Sequence, residues 1–454
     1  MKCFHYPFQL FLVLLLTACG GGSKAPSEPL GSPSNPFVWT KASPESVGMS
    51  SAKLSAAFDD AFLDGTYTQA ALVIKDGRLV YERYRGLGSA EKAALEAHYG
   101  SDNQLIDQFY SDRDRFSFAT SWSTGKSFTS VLVGIAIDQG HIKSLEQSAS
   151  DFIQEWAGSD DPRNQITIRN LLDMRSGLVL ICHDSISGQL GTCLNASGGS
   201  GGNLVFSDNQ MAACINRPLA ESGVFQPWHE RVYQSGDWVY SNCDTMVLGE
   251  ILYRATDQDL QTYAEINLFS KIGMQAQWWR DFDESAQVNG NYLAYCCIDA
   301  TPRDFAKFGQ LLLDNGVWDG VQIIPPDYIE KIKNIINDSQ VNQFMSYGLK
   351  FWTIFPRRLA NDVIYPPVNK LYATQGFDGQ YIVIDYDNNM IVVRNSIYNP
   401  ALNLSDERRM KVKVDDIANT NFTATLPAGI GMETQTTFNL AALLYGVKES
   451  IENP

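Results

Sequence analysis

Ser123-Thr124-Gly125-Lys126-Ser127-Phe128-Thr129-Ser130-Val131-Leu132-Val133-Gly134-Ile135-Ala136-Ile137-Asp138-Gln139-Gly140 is the stretch on which the fold turns. Phe128, Val131, Leu132, Ile135 and Ala136 keep the three- and four-residue spacing of a helix face. Apolar residues are dense enough around the other faces to predict a helix over Ser123 to Gln139 that is buried on most sides. Gly140 is its stop. A polar pair opens this apolar helix, since a three-residue spacing puts Ser123 and Lys126 on one face. A serine hydroxyl is a weak nucleophile until a base takes its proton, and a lysine can be that base only as the neutral amine. Lowering the amine from its ordinary value of about 10.4 toward neutrality takes roughly 4 kcal/mol, which burial and a neighbouring cation or helix N-terminus can supply. The same helix N-terminus offers the Ser123 backbone N–H as one donor to an oxyanion.

The pattern is not specific alone. Ser50-Ser51-Ala52-Lys53 also matches it, but reads as a helix start with Ser50 as N-cap. Working outward, Ser50 to Phe62 is predicted helical, and Ala70 to Tyr84 reads as two apolar strands joined at Asp76-Gly77. Tyr240-Ser241-Asn242 stands just before a helical run, Met246 to Ala255, where a phenol could pass a proton between nucleophile and leaving group. Tyr386-Asp387-Asn388 has the same form but is explained by a turn. Arg303 to Asp314 reads as helix, Gln380 to Asp385 and Met390 to Asn395 as strands, and Phe438 to Val447 as a final helix. Thr374-Gln375-Gly376-Phe377-Asp378-Gly379-Gln380 leads into the first of those strands, with glycines that let a strand edge approach a substrate. This order predicts an α+β fold: an antiparallel sheet built from both chain ends, flanked by helices, with a mostly helical insertion over roughly 120–315.

The 454 residues are 44% hydrophobic and 19% charged, the composition of a globular chain. The formal charge of −16 and the lack of a Lys/Arg cluster exclude a nucleic-acid partner, whose affinity needs neutralised phosphates. Lys2, the apolar Phe8 to Leu16 and Leu16-Thr17-Ala18-Cys19 read as an export signal over 1–18, too short to stay as a membrane span. Residues 19–42, opening with Gly20-Gly21-Gly22-Ser23, read as a flexible tether, and 43–450 as the globular domain. Setting aside Cys3 and Cys19 leaves Cys182, Cys193, Cys214, Cys243, Cys296 and Cys297, an even number that suits disulfides in an oxidising compartment. Cys182 and Cys193 form the best local pair, and the adjacent Cys296 and Cys297 are expected to have separate partners. A zinc site has no Cys-x-x-Cys pair to support it.

The motifs together resemble the beta-lactamase-related serine hydrolases, the group of class C beta-lactamases, D,D-peptidases, related esterases and 6-aminohexanoate-dimer hydrolases. Besides Ser123 to Lys126 and Tyr240 to Asn242, Ile166 to Leu178 is similar to the family's stretch ending in Ser-Gly-Leu, and Ala300 to Leu313 to its late helix. The resemblance implies a beta-lactamase/transpeptidase-like fold with Ser123 attacking a carbonyl, Lys126 and Tyr240 moving the proton, and no cofactor. It places Asn242 beside Lys126 or the substrate, and makes an oxyanion hole from the N–H groups of Ser123 and of Phe377, which follows Gly376. Gln375 departs from the family's cationic Lys/His-Thr/Ser-Gly, which favours a small-molecule ester or unactivated amide over a beta-lactam or peptidoglycan stem. The alternatives are a D,D-peptidase or beta-lactamase, or a non-catalytic envelope-binding module of the same fold. The Leu-Thr-Ala-Cys stretch is similar to a lipobox, implying lipid on Cys19 as the sole membrane attachment, with Gly20 favouring the outer membrane, facing the periplasm. Oligomeric state is not legible.

Gly198-Gly199-Ser200-Gly201-Gly202 lacks the flanking strand and helix of a nucleophile elbow and reads as a loop. Ser101-Asp102-Asn103 and Ser207-Asp208-Asn209 have no Lys-Thr-Gly partner. His183 and His229 form no metal pair, and Trp122, Trp228, Trp278 and Trp279 read first as core packing and second as the wall of an acyl pocket.

Overall fold

Asp76 and Gly77 both adopt positive φ, 51° and 71°, the pair of left-handed residues that a tight hairpin needs. They join β1 (Ala70–Lys75) to β2 (Arg78–Tyr84). The computed structural model describes residues 37–99, 112–178, 209–220, 224–226, 231–233, 236–281, 290–335, 345–354, 359–360, 363–364, 370–397 and 437–452. Cys19, Cys182, Cys193, His183, Trp228 and the Gly198 to Gly202 loop lie outside them.

Helix α1 (Ser51–Ala61) precedes the hairpin. After it come α2 (Gly125–Asp138), α3 (Asn242–Thr256) and α4 (Pro302–Leu313). The chain then returns to the sheet with β3 (Met345–Gly348), β4 (Phe351–Ile354), β5 (Leu371–Gly376), β6 (Gln380–Asp385) and β7 (Met390–Asn395), and closes with α5 (Leu440–Glu449). The seven strands run in the order β3-β4-β5-β6-β7-β1-β2, all antiparallel, so β1 from the early chain pairs with β7 from the late chain. The architecture is the expected α+β one. Between α2 and α4 the described chain is less uniformly helical than expected: 3-10 turns and short strands separate its helices.

Period-two alternation gives the sheet two apolar faces. Leu72 and Ile74 of β1, with Ile382, Ile384, Ile391 and Val393, face the core built on α2, α3 and α4. Ala71, Val73, Val383 and Val392 face α1 and α5 through Leu54, Phe58, Leu443 and Val447. Each such side chain stabilises by about 1.5–3 kcal/mol when fully buried. Gly309 lets α4 lie close on the sheet, because a Cβ there would sit 2.9 Å from Ile391 and 3.0 Å from Ile382. Tyr386, the decoy tyrosine, donates its hydroxyl to the Leu312 carbonyl at 3.0 Å and is spent on packing.

Cys214 pairs with Cys243, tying the short helix Gln210–Ile215 to α3. Cys296 and Cys297 do not have separate partners: they are bonded to each other, with Cys297 at φ 68°. Adjacency, read as a reason for two destinations, instead closes a small covalent ring in the backbone.

Candidate active site

The short strand Ala119–Thr120 pairs with Ile298–Ala300, and this pairing continues into Ser121, whose N–H donates to the Ile298 carbonyl at 2.8 Å. The Ser121 hydroxyl accepts the Ile298 N–H at 2.7 Å. The chain then turns sharply, with Trp122 at φ 46°, a backbone state that costs a residue with a Cβ on the order of 1–3 kcal/mol. The Cys297 N–H holds the Trp122 carbonyl at 3.1 Å across the turn. A single 3-10 turn, Trp122–Thr124, runs straight into α2. Gly125 keeps that junction close, since a Cβ there would come 3.0 Å from the Cys296 carbonyl carbon and crowd it.

Ser123 is thereby left partly exposed at the head of a helix whose first twelve residues are all buried. Lys126, one turn on, is 1% exposed. Its Nζ donates to Ser123 Oγ at 2.9 Å and to the Tyr295 carbonyl at 2.8 Å. Burial holds its pKa well below the ordinary lysine range, and the Lys350 ammonium pushes in the same direction. The Tyr240 and Tyr295 rings lie 5.0 and 5.5 Å from Nζ and favour the cation by about 0.5–2 kcal/mol, the weaker effect against loss of hydration.

Tyr240 precedes α3, whose N-cap Ser241 accepts the Asp244 N–H. Its ring stacks on Trp352 at 5.9 Å, and Trp238 and Tyr347 complete an aromatic cluster. At the Ser123 turn itself, Trp122 meets Phe377 edge-on at 5.9 Å and Trp279 at 6.0 Å. The third motif is carried there by β5: a Cβ on Gly376 would lie 2.2 Å from the Ser121 carbonyl, so only glycine lets the strand pass. Thr124 Oγ1 donates to the Gln380 carbonyl at 3.2 Å, fixing the same approach. Gln375, partly exposed, pairs with Tyr381 in the β5–β6 ladder. Asn242 is the first residue of α3 and partly exposed, while Lys126 Nζ hydrogen-bonds to Ser123 Oγ and the Tyr295 carbonyl.

A polar layer beneath the site has no counterpart in the motif reading. Ser176, within the Ser-Gly-Leu stretch, donates its hydroxyl to Asp244 Oδ1 at 2.7 Å. Lys350, wholly buried on the β3–β4 turn, donates to the Leu171 carbonyl at 2.6 Å. Ser176 lay in a stretch already singled out, whereas a lone lysine in an aromatic run carries no local signal of its role.

The beta-lactamase family model matches residues 60–412, most of the chain, with the Ser123 turn, Tyr240 and the β5–β6 edge inside the match. The chain belongs to the beta-lactamase family. Among solved structures it is similar to a Bacillus anthracis protein assigned as a 6-aminohexanoate-dimer hydrolase, at 20% identity over 86% of each chain with a TM-score of 0.55. EstCE1, a hydrolase with promiscuous acyltransferase activity, matches at 13% identity over 88% of this chain and 99% of its own, TM-score 0.58. A D-stereospecific amidohydrolase from Streptomyces matches at 12% identity over 82% of this chain and 98% of its own, TM-score 0.50. At these identities the likeness concerns the fold, which is beta-lactamase/transpeptidase-like, and members of this family are generally serine hydrolases.

Proposed function

We propose that this family member cleaves a carboxylic ester or unactivated amide through an acyl-enzyme, with Ser123 as nucleophile and Lys126 as its base. The observation that carries the reading is the 2.9 Å contact between Ser123 Oγ and a lysine nitrogen buried enough to be neutral. With one N–H on the Tyr295 carbonyl, the neutral amine turns its lone pair to the Ser123 hydroxyl and takes the proton as Oγ attacks the carbonyl carbon. The oxyanion is received by the Ser123 and Phe377 backbone N–H groups. Tyr240 carries the proton on to the leaving group, and water then cleaves the acyl-enzyme by the same relay in reverse. Gln375 on the β5 edge offers hydrogen bonds but no charge, and aromatic side chains flank the turn on both sides, which supports a neutral, apolar acyl group. Attachment to the outer membrane through lipid on Cys19 is part of the proposal; the two disulfides support an oxidising compartment.

The test is intact-mass spectrometry after exposure to a fluorophosphonate, beside turnover of a short-chain p-nitrophenyl ester, with Ser123→Ala as control. One adduct on Ser123 and turnover lost in the variant support the reading. Absence of both from folded wild-type protein points to a binding module of the same fold.

A further inference from the structure

Lys350 is the second lysine buried to 1% exposure, and the proton relay has no use for it. It sits in the tight turn between β3 and β4, where Leu349 and Lys350 both hold positive φ, 47° and 63°. Two consecutive left-handed residues with side chains are a cost of order 1–3 kcal/mol each, so the surroundings must hold the turn in place. They do so from two segments. The nucleophile helix reaches it through Ser127 and Ser130, whose hydroxyls donate to the Lys350 carbonyl at 2.7 Å and the Leu349 carbonyl at 2.6 Å. The Ser-Gly-Leu segment reaches it through the Leu172 carbonyl, which accepts the Lys350 N–H at 3.1 Å, and through Asp173, which accepts the Leu349 N–H at 2.7 Å. The Lys350 ammonium itself donates to the Leu171 carbonyl at 2.6 Å and to Met174 Sδ at 3.2 Å. Met174 in turn anchors the segment carrying Tyr240, accepting the Val239 N–H on its carbonyl at 2.9 Å and the Ser241 N–H on its sulfur at 3.2 Å.

We propose that Lys350 is a positioning residue for acylation: it ties the helix bearing Ser123 and Lys126 to the segment bearing Tyr240, and its positive charge disfavours a second cation on Lys126. The inference rests on the hydrolase reading for its purpose but not for its test.

The ionisable groups around this turn divide unequally. Burial lowers Lys350 to about 7, while Asp244, on α3, and Asp173, just past the helix Ile168–Leu172, pull its proton affinity part of the way back up. Burial raises both carboxyls in turn, with Arg169 and Arg175 lowering Asp173 from outside. Burial raises both the Tyr347 and Tyr328 phenols, with Tyr240, Asp244 and Asp173 adding to it at Tyr347 and Asp173 at Tyr328, while Ser130 and Arg169 pull Tyr328 the other way. Lys126 faces Ser123, the Tyr295 carbonyl and the Tyr240 and Tyr295 rings, and no carboxylate is among the causes acting on it. Burial lowers both lysines, but carboxylates offset it only at Lys350, so Lys350 holds its proton to higher pH than Lys126.

The experiment follows the Lys126 side chain by NMR of protein labelled with 13Cε-lysine, titrated in the wild type, Lys350→Met and Lys350→Arg, with Lys126→Met identifying the resonance. Removing the like charge raises the Lys126 midpoint by about one pH unit in Lys350→Met, while Lys350→Arg stays within a few tenths of the wild type. The acid limb of kcat/KM on an ester moves upward with it, because a larger share of Lys126 is protonated at a given pH. Lys350→Gly, suited to the positive φ, is the second uncharged variant if Lys350→Met lacks a native near-UV spectrum. An unchanged Lys126 midpoint in a folded uncharged variant overturns the proposal even if the enzyme turns over. A shifted midpoint in a protein that hydrolyses nothing sustains it and sinks the hydrolase reading instead.

Discussion

At the head of α1, Ser50 Oγ accepts the Lys53 N–H at 3.4 Å and the Lys53 side chain is exposed. At the head of α2, Ser123 Oγ meets Lys126 Nζ at 2.9 Å, and the Lys126 side chain is sealed from solvent. Both are Ser-x-x-Lys at a helix start. In the first, the serine turns inward to the backbone as an N-cap and the lysine stays hydrated, so the hydroxyl has no base. In the second, the α2 backbone passes under the Cys296–Cys297 strap, the Thr124 side chain is spent on the Gln380 carbonyl, and the lysine is forced into the protein interior. Spacing puts the two side chains on one helix face in either place; burial, with the Lys350 charge acting in the same direction, is what suits the second pair to the proposed roles of nucleophile and base.

The comparison can be broken at its strongest point first. Ser123→Ala should remove ester turnover by about 10⁴-fold or more and abolish the fluorophosphonate adduct, while the fold is kept. Comparable loss from Ser50→Ala would mean that the wrong serine carries the chemistry. Lys126→Met should slow acylation on the order of 10³-fold, and Lys53→Met should leave it unchanged. The stability consequence separates the two lysines further. Lys126 is protonated in the unfolded chain up to its ordinary pKa and loses that proton on folding, so its burial opposes folding at neutral pH and less so as pH rises toward 10. Lys126→Met should therefore raise the melting temperature at pH 7 and gain little near pH 10; a variant that is inactive and less stable at pH 7 would show that Lys126 is structural. Tyr240→Phe should cost roughly 10²-fold in acylation with an unchanged near-UV spectrum. The smallest effect belongs to α1: Ser50→Ala should cost about 1 kcal/mol of stability, read by denaturant unfolding, and nothing in rate.

Much of the sheet was legible because hairpin chemistry and alternation are local: Asp76-Gly77, Gln380 to Asp385 and Met390 to Asn395 stand where the pattern put them. The helices were legible for the same reason, with ends shifted by their caps, as at α3, which begins at Asn242 behind the Ser241 cap rather than at Met246. At the candidate site the spacing put Ser123 and Lys126 on one helix face, where their side chains lie 2.9 Å apart, but said nothing of what holds them. Nothing near Lys350 in the chain says that its partners lie at Leu171 and Met174, within the helical insertion and 179 and 176 residues earlier. The Cys296–Cys297 bond failed for the opposite reason, since adjacency was read as an argument against the pairing it made.

The most direct measurement is the pH dependence of the rate at which a fluorophosphonate modifies Ser123, followed by intact mass between pH 5 and 10.5 with the adduct mapped to its peptide. With Lys126 buried and neutral, the rate climbs at acid pH, levels off well below the ordinary lysine range and stays flat above it, with all label on Ser123. A rate that rises tenfold per pH unit up to about 10 would put an ordinary, hydrated lysine beside Ser123 and contradict the account.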